Sequence, residues 1–115
     1  MSEYTIQYYS ERIKAAIAEL PKDIFDTYVE LTARMQQLGP NLGMPHTKAL
    51  GSGLFEIRAE GAGGWGRVFY CALKGKRIVM LHSMEKKSNA TPQRELETAR
   101  RRMQEIKNET IHPIE

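Results

Sequence analysis

The chain has one cysteine, one tryptophan and no long apolar run among its 115 residues. Each shortage excludes something. A lone Cys71 cannot form an internal disulfide, and a single thiol in an apolar strand reads as a packed side chain in a reducing compartment, not as a nucleophile. No apolar stretch approaches the ~18–20 residues that cross a bilayer. The opening residues MSEYTIQYYSER lack a basic region followed by an apolar one, so the expectation is a cytoplasmic protein with no membrane partner. Metal-ligand spacing, a P-loop, paired carboxylates and a serine triad are all missing, and His46, Lys48 and the glycines near them fit none of these patterns. No metal or cofactor is expected. There are no repeats or low-complexity tracts, and the length suits a single domain over residues 1–115.

Positive charge is present and unevenly spread. Residues 1–43 carry four Lys/Arg against six Asp/Glu, residues 44–102 twelve against five, and residues 103–115 one against three. A basic middle between two mildly acidic flanks attracts polyanions. The stretch LHSMEKKSNATPQRELETARRR (81–102) concentrates that charge on one strand end and the following helix. A phosphate-rich ligand would explain it; a solvated lysine-rich surface is the plainer alternative.

Hydrophobic periodicity predicts an α+β fold: a small antiparallel-rich twisted sheet with an N-terminal helical hairpin and a C-terminal helix. Tyr4–Tyr9 reads as an edge strand. Ser10 can cap a helix whose buried face is Ile13, Ala16, Ile17 and Leu20. Pro21 opens a second helix with Ile24, Tyr28, Leu31, Met35 and Leu38 on its inner face, ended by Gly39-Pro40. Residues 40–53 read as a loop. Strands follow at Leu54–Glu60, Trp65–Leu73 and Arg77–Glu85. A last helix runs from about Thr91, its expected cap, to Lys107.

A two-residue Gly75-Lys76 loop would pair Lys74 with Arg77, Cys71 with Met80, Phe69 with His82 and Arg67 with Met84. The core face is then Val68, Tyr70, Ala72, Val79, Leu81 and Ser83. The opposite face carries Arg67, Phe69, Met80, His82, Met84 and Lys86, with Glu56 and Arg58 beside them. Pleating thus gathers two arginines, a histidine and a lysine into what should be a solvent-open patch. Arginine suits phosphate because its planar fork donates two hydrogen bonds at once. Phe69, Met84 and Trp65 can support unstacked bases, and Arg94 at the start of the last helix is a further candidate RNA contact. Such a set fits metal-independent RNA cleavage, in which a ribose 2′-hydroxyl attacks the adjacent phosphate. His82 has the side chain that titrates near neutrality. Lys86 serves either as a base of lowered pKa or as a cation for the transition state. Arg67→Ala is expected to abolish cutting while leaving the fold intact.

Three separated segments carry a family resemblance: Leu54-Phe55-Glu56-Ile57-Arg58, Gly66-Arg67-Val68-Phe69-Tyr70, and Leu81-His82-Ser83-Met84-Glu85-Lys86-Lys87 with Thr91-Pro92 and Glu95. In order and spacing they resemble the phage-related HigB-type toxins of the RelE/ParE toxin–antitoxin superfamily, over roughly residues 45–102. The resemblance implies a toxin that cuts mRNA on the ribosome and is blocked by a cognate helix-turn-helix antitoxin. It makes Arg58, Arg67, His82, Lys86 and Lys87 the active-site candidates, with Lys48 holding RNA or ribosome. The chain departs from the pattern at Gly66, where an aromatic residue is common, at Ser83, where glycine is, and at Met84, where phenylalanine is. Two other readings stay open: a non-nucleolytic ParE-like toxin that inhibits DNA gyrase, and a plain nucleic-acid-binding module.

Overall fold

A computed structural model describes residues 3–86 and 90–115. The elements run β1 (Thr5–Tyr8), α1 (Glu11–Ala18), α2 (Lys22–Leu38), β2 (Thr47–Gly51), β3 (Leu54–Gly61), β4 (Gly64–Leu73), β5 (Arg77–Lys86) and α3 (Gln93–Lys107). One five-stranded sheet has the order β1-β5-β4-β3-β2. All pairs are antiparallel except β1 with β5, which is parallel because the two N-terminal helices carry the chain back before β5 is laid down. The fold is α+β, as the periodicity predicts. Among the described residues no helix is long and apolar enough to cross a membrane.

The helices cover both faces of the sheet. Ile13 and Ile17 of α1, with Tyr28, Leu31 and Met35 of α2, pack on Ile57, Val68, Tyr70, Ile78 and Met80. On the other face Ala99, Met103 and Ile106 of α3 pack on Leu54, Phe69, Cys71, Val79 and Leu81. Ser10 caps α1, its hydroxyl accepting from the Ile13 amide at 3.2 Å.

Several expectations are corrected. Residues 47–51, read as loop, form edge strand β2; three of its five residues are exposed and only Thr47 is buried, so no apolar alternation marks it. Leu38 is exposed, at the last turn of α2 beyond the reach of the sheet. Thr91 does not cap α3: the helix starts at Gln93 after Pro92, with no side-chain cap bond.

The β4–β5 hairpin differs most usefully. Its loop has three residues, Lys74–Lys76, with Gly75 and Lys76 both at positive φ. Leu73 therefore pairs with Arg77, and Cys71 with Val79 instead of Met80. Near the turn this reverses the expected faces: Met80 joins the α1–α2 core, while Val79 and Leu81 join the α3 core. A bulge then inserts Leu81, since Tyr70 pairs with Met80 and Phe69 with His82. The extra residue cancels the one-residue offset of the loop. Beyond it, Phe69–His82 and Arg67–Met84 pair as expected.

Candidate functional site

Three rungs on the α3 side of the sheet hold the site. The first joins Lys48, Glu56, Phe69 and His82; the second Arg58, Arg67 and Met84; the third Glu60, Trp65 and Lys86. Paired residues share a face, so the register brings Lys48, Arg58, Arg67, His82 and Lys86 to one side. The candidate Lys87 lies outside the described residues.

The site is layered, not an open patch. Arg67 is completely buried, Glu56 nearly so, and Lys86 is 7% exposed. Arg58 is partly exposed and Lys48 exposed. Glu56 organises the layer: its Oε2 accepts from Arg58 NH1 at 2.9 Å, and its Oε1 lies 4.0 Å from Arg67 Nε. Arg67 NH1 also donates to the Gly66 carbonyl at 3.1 Å. This corrects the expectation of a solvent-open Arg67. Below the surface, its charge acts through Glu56 and through the field it sets up around Arg58 and Lys86. Burial, then the nearby Arg58 charge, lowers its pKa, yet a guanidinium keeps its proton.

Lys86 is the group whose chemistry this layer changes most. Burial pushes its pKa below the ordinary lysine value; Arg67 lowers it further, Glu56 opposes, and Arg58 and Lys48 add to the lowering. Its Nζ donates to Thr91 Oγ1 at 2.7 Å. The strand end thereby holds the residue that leads into α3.

His82 is held on both ring nitrogens. Nδ1 lies 3.1 Å from Arg102 NH1 and Nε2 lies 3.3 Å from Glu95 Oε1. A guanidinium only donates, so Nδ1 accepts and Nε2 carries the hydrogen that Glu95 receives. Burial depresses the imidazole pKa; Glu95 opposes, while Arg102 and Arg101 contribute to the lowering. Arg102 also donates to the Leu81 carbonyl at 3.0 Å and stacks over the Tyr9 ring, 5.0 Å from its centroid. Arg100 donates to the carbonyls of Leu50 and Gly51. Of the three consecutive arginines, two therefore clamp α3 to the sheet, and Arg101 faces solvent.

The candidate base supports separate. Phe69 is fully buried and stacks on the His82 ring at 6.0 Å, so it packs under α3 and cannot receive a base. Met84 is half-buried against the α3 core. Trp65 is half-buried beside Lys86, and Arg94 is exposed on the first turn of α3. The departure at Gly66 has a packing cause: a Cβ there would lie 2.5 Å from Ile24 Cγ2 of α2. The sequence reading missed Thr91 and Arg102 as partners. The i, i+7 spacing of Glu95 and Arg102 on one helix face was the signal available for the His82 clamp.

Among the described residues no group of three His, Cys, Asp or Glu side chains gathers to hold a metal. No curated protein matches the chain. In fold it is similar to a chain of the crystal structure of the archaeal RelE–RelB complex from Pyrococcus horikoshii OT3. The identity is 20%, the match covers 78% of this chain and 100% of that one, and the TM-score is 0.49. Residues 15–104 match the family described as Phage derived protein Gp49-like (DUF891). That span takes in α2, all the site strands and most of α3, and the chain belongs to this Gp49-like family.

Proposed function

We propose that this protein is the toxin of a type II toxin–antitoxin pair, of the HigB-type in the RelE/ParE superfamily, and that it cuts mRNA on the ribosome without a metal. One observation carries the reading: Lys48, Arg58 and Lys86 converge on one sheet face above a buried Arg67–Glu56 layer. Arg58 meets the phosphate and stabilises charge that develops on its oxygens. Lys48 holds the flanking backbone. Lys86, its pKa lowered by burial and by neighbouring cations, takes the proton from the ribose 2′-hydroxyl. The 2′-oxygen bonds to phosphorus and the P–O5′ bond breaks. A 2′,3′-cyclic phosphate remains, and the departing 5′-oxygen takes a proton from water. His82, with both nitrogens engaged, positions α3 and transfers no proton in this scheme. A cognate helix-turn-helix antitoxin is the partner the sequence resemblance implies.

Inducing the protein alone should stop growth, and primer extension should show new cuts within translated messages. Lys86→Met should lose the cuts while the protein still melts cooperatively, because it removes one cation from among several and one hydrogen bond, that to Thr91. Growth arrest with whole messages and DNA-damage signals would replace the nuclease with the gyrase-inhibitor reading. Salt-sensitive RNA binding without toxicity would leave only a binding module.

A further inference from the structure

The β3–β4 hairpin carries a cleft that the cationic layer leaves unused. It holds about 340 Å3 and is lined by Glu60, the backbone of residues 61–64 and Trp65. That volume falls within the ~300–1,000 Å3 of small-ligand sites. Glu60 pairs with Trp65, and Trp65 with Lys86, so one rung presents a carboxylate, an indole and an amine on the same face. Glu60 is exposed, and its charge reaches Arg67 on the next rung. A Cβ at Gly63 would meet nothing within 4 Å, which leaves the backbone there open to a flat ring.

An indole face accepts any base. The carboxylate adds selection. Two parallel hydrogen bonds to one carboxylate require two adjacent donors on the base edge. Guanine has them, in N1–H and the N2 amino group. Adenine and cytosine each set an acceptor nitrogen beside their amino group, and a carboxylate oxygen repels it. Uracil has a single N3–H between two carbonyls.

We propose that this cleft binds a guanine base of single-stranded RNA, stacked on Trp65 and read by the Glu60 carboxylate. The proposal rests on the reading of the neighbouring layer as an RNA-cleaving site, and it sets the guanine next to the ribose whose 2′-hydroxyl meets Lys86.

Trp65 is the single tryptophan of the chain, so its fluorescence reports this cleft alone. The probes are short uridine oligonucleotides methylated at every 2′-oxygen, which removes the attacking hydroxyl. Each carries one central guanine, adenine or cytosine and a terminal dye whose anisotropy reports binding anywhere on the protein. The guanine probe should quench Trp65 at concentrations about tenfold lower than the others. Glu60→Gln should erase that difference, because a carboxamide donates and accepts side by side, and adenine, cytosine and guanine each offer it a matching donor–acceptor pair. A thermal melt of the variant checks its fold; Glu60 is exposed, so the melt should not move. Binding without quenching, equal quenching by all three bases, or an unchanged guanine preference in Glu60→Gln overturns the guanine site and leaves the RNA reading standing. No binding by either signal overturns the guanine site, and primer extension on translated messages then decides the RNA-cleaving reading separately.

Discussion

Lys86 Nζ donates to Thr91 Oγ1 at 2.7 Å, so the last residue of β5 is tied to the approach of α3. This contact joins a lysine of lowered pKa to the helix that covers the same sheet face. Strand end and helix start are thereby fixed relative to one another, which is what a positioned base requires.

If Lys86 is that base, cutting rises with pH through its lowered pKa and levels off above it. Arg58→Ala and Lys48→Ala each remove a cation that disfavours the protonated amine. Both should move the rising limb to higher pH, in addition to weakening RNA binding, and Lys86→Met should lose the limb. The check is a single-turnover pH profile on programmed ribosomes.

Arg67→Ala should fail as a clean test of catalysis. The side chain is completely buried, and its removal leaves an empty space and takes one cation from the buried Glu56 carboxylate, which keeps its 2.9 Å bond to Arg58. Breaking a buried ion pair from one side costs about 3–5 kcal/mol, and the surviving Arg58 contact holds the loss to the lower end of that range. The denaturant midpoint of Arg67→Ala should fall accordingly, and Arg67→Ala/Glu56→Gln should recover part of the loss. This reverses the expectation, natural from the sequence, that the fold would be indifferent to the substitution.

His82 should make stability depend on mildly acidic pH. Its pKa is lowered in the fold, so the unfolded chain binds the proton more readily. Protonation also turns Nδ1 into a donor facing the Arg102 guanidinium. The contribution is fully present above the unfolded value of ~6.5 and is lost as pH falls through the lower folded value. Melting temperature should therefore drop below about pH 6.5. His82→Gln should remove that drop while leaving the carboxylate-driven losses at lower pH.

Gly66→Ala should destabilise by about 1–3 kcal/mol, the usual cost of overpacking. The added methyl would meet Ile24 Cγ2 at 2.5 Å, where β4 passes beneath the start of α2. Ile24→Ala removes that carbon. The double variant should then be more stable than the sum of the two single losses, a coupling that a double-mutant cycle in urea measures.

Much of the fold was legible in the chain itself. Ile13 and Ile17, and Ile24, Tyr28, Leu31 and Met35, follow helical periods and are buried, because amphipathic spacing is a local property that burial simply reads out. Alternation along residues 54–60 and 65–70 likewise put Arg58 and Arg67 on one face. The β4–β5 turn was less legible. A loop of two or three residues changes which side chains meet, and nothing local to Lys74-Gly75-Lys76 announces the compensating bulge at Leu81.

By itself the sequence determined the helices, the strands β1 and β3–β5, and the placing of Arg58, Arg67, His82 and Lys86 on one side of the sheet, since these follow from the periods of helix and strand; β2 and its Lys48 did not. Only the tertiary structure decided how deep each cation lies. α3 packs across that face, so Arg67 and Phe69 are sealed, His82 is clamped by Glu95 and Arg102, Lys86 is nearly covered, and Arg58 and Lys48 are left toward the surface. Depth is set by what an element distant in the chain covers, and alternation along a strand carries no record of that.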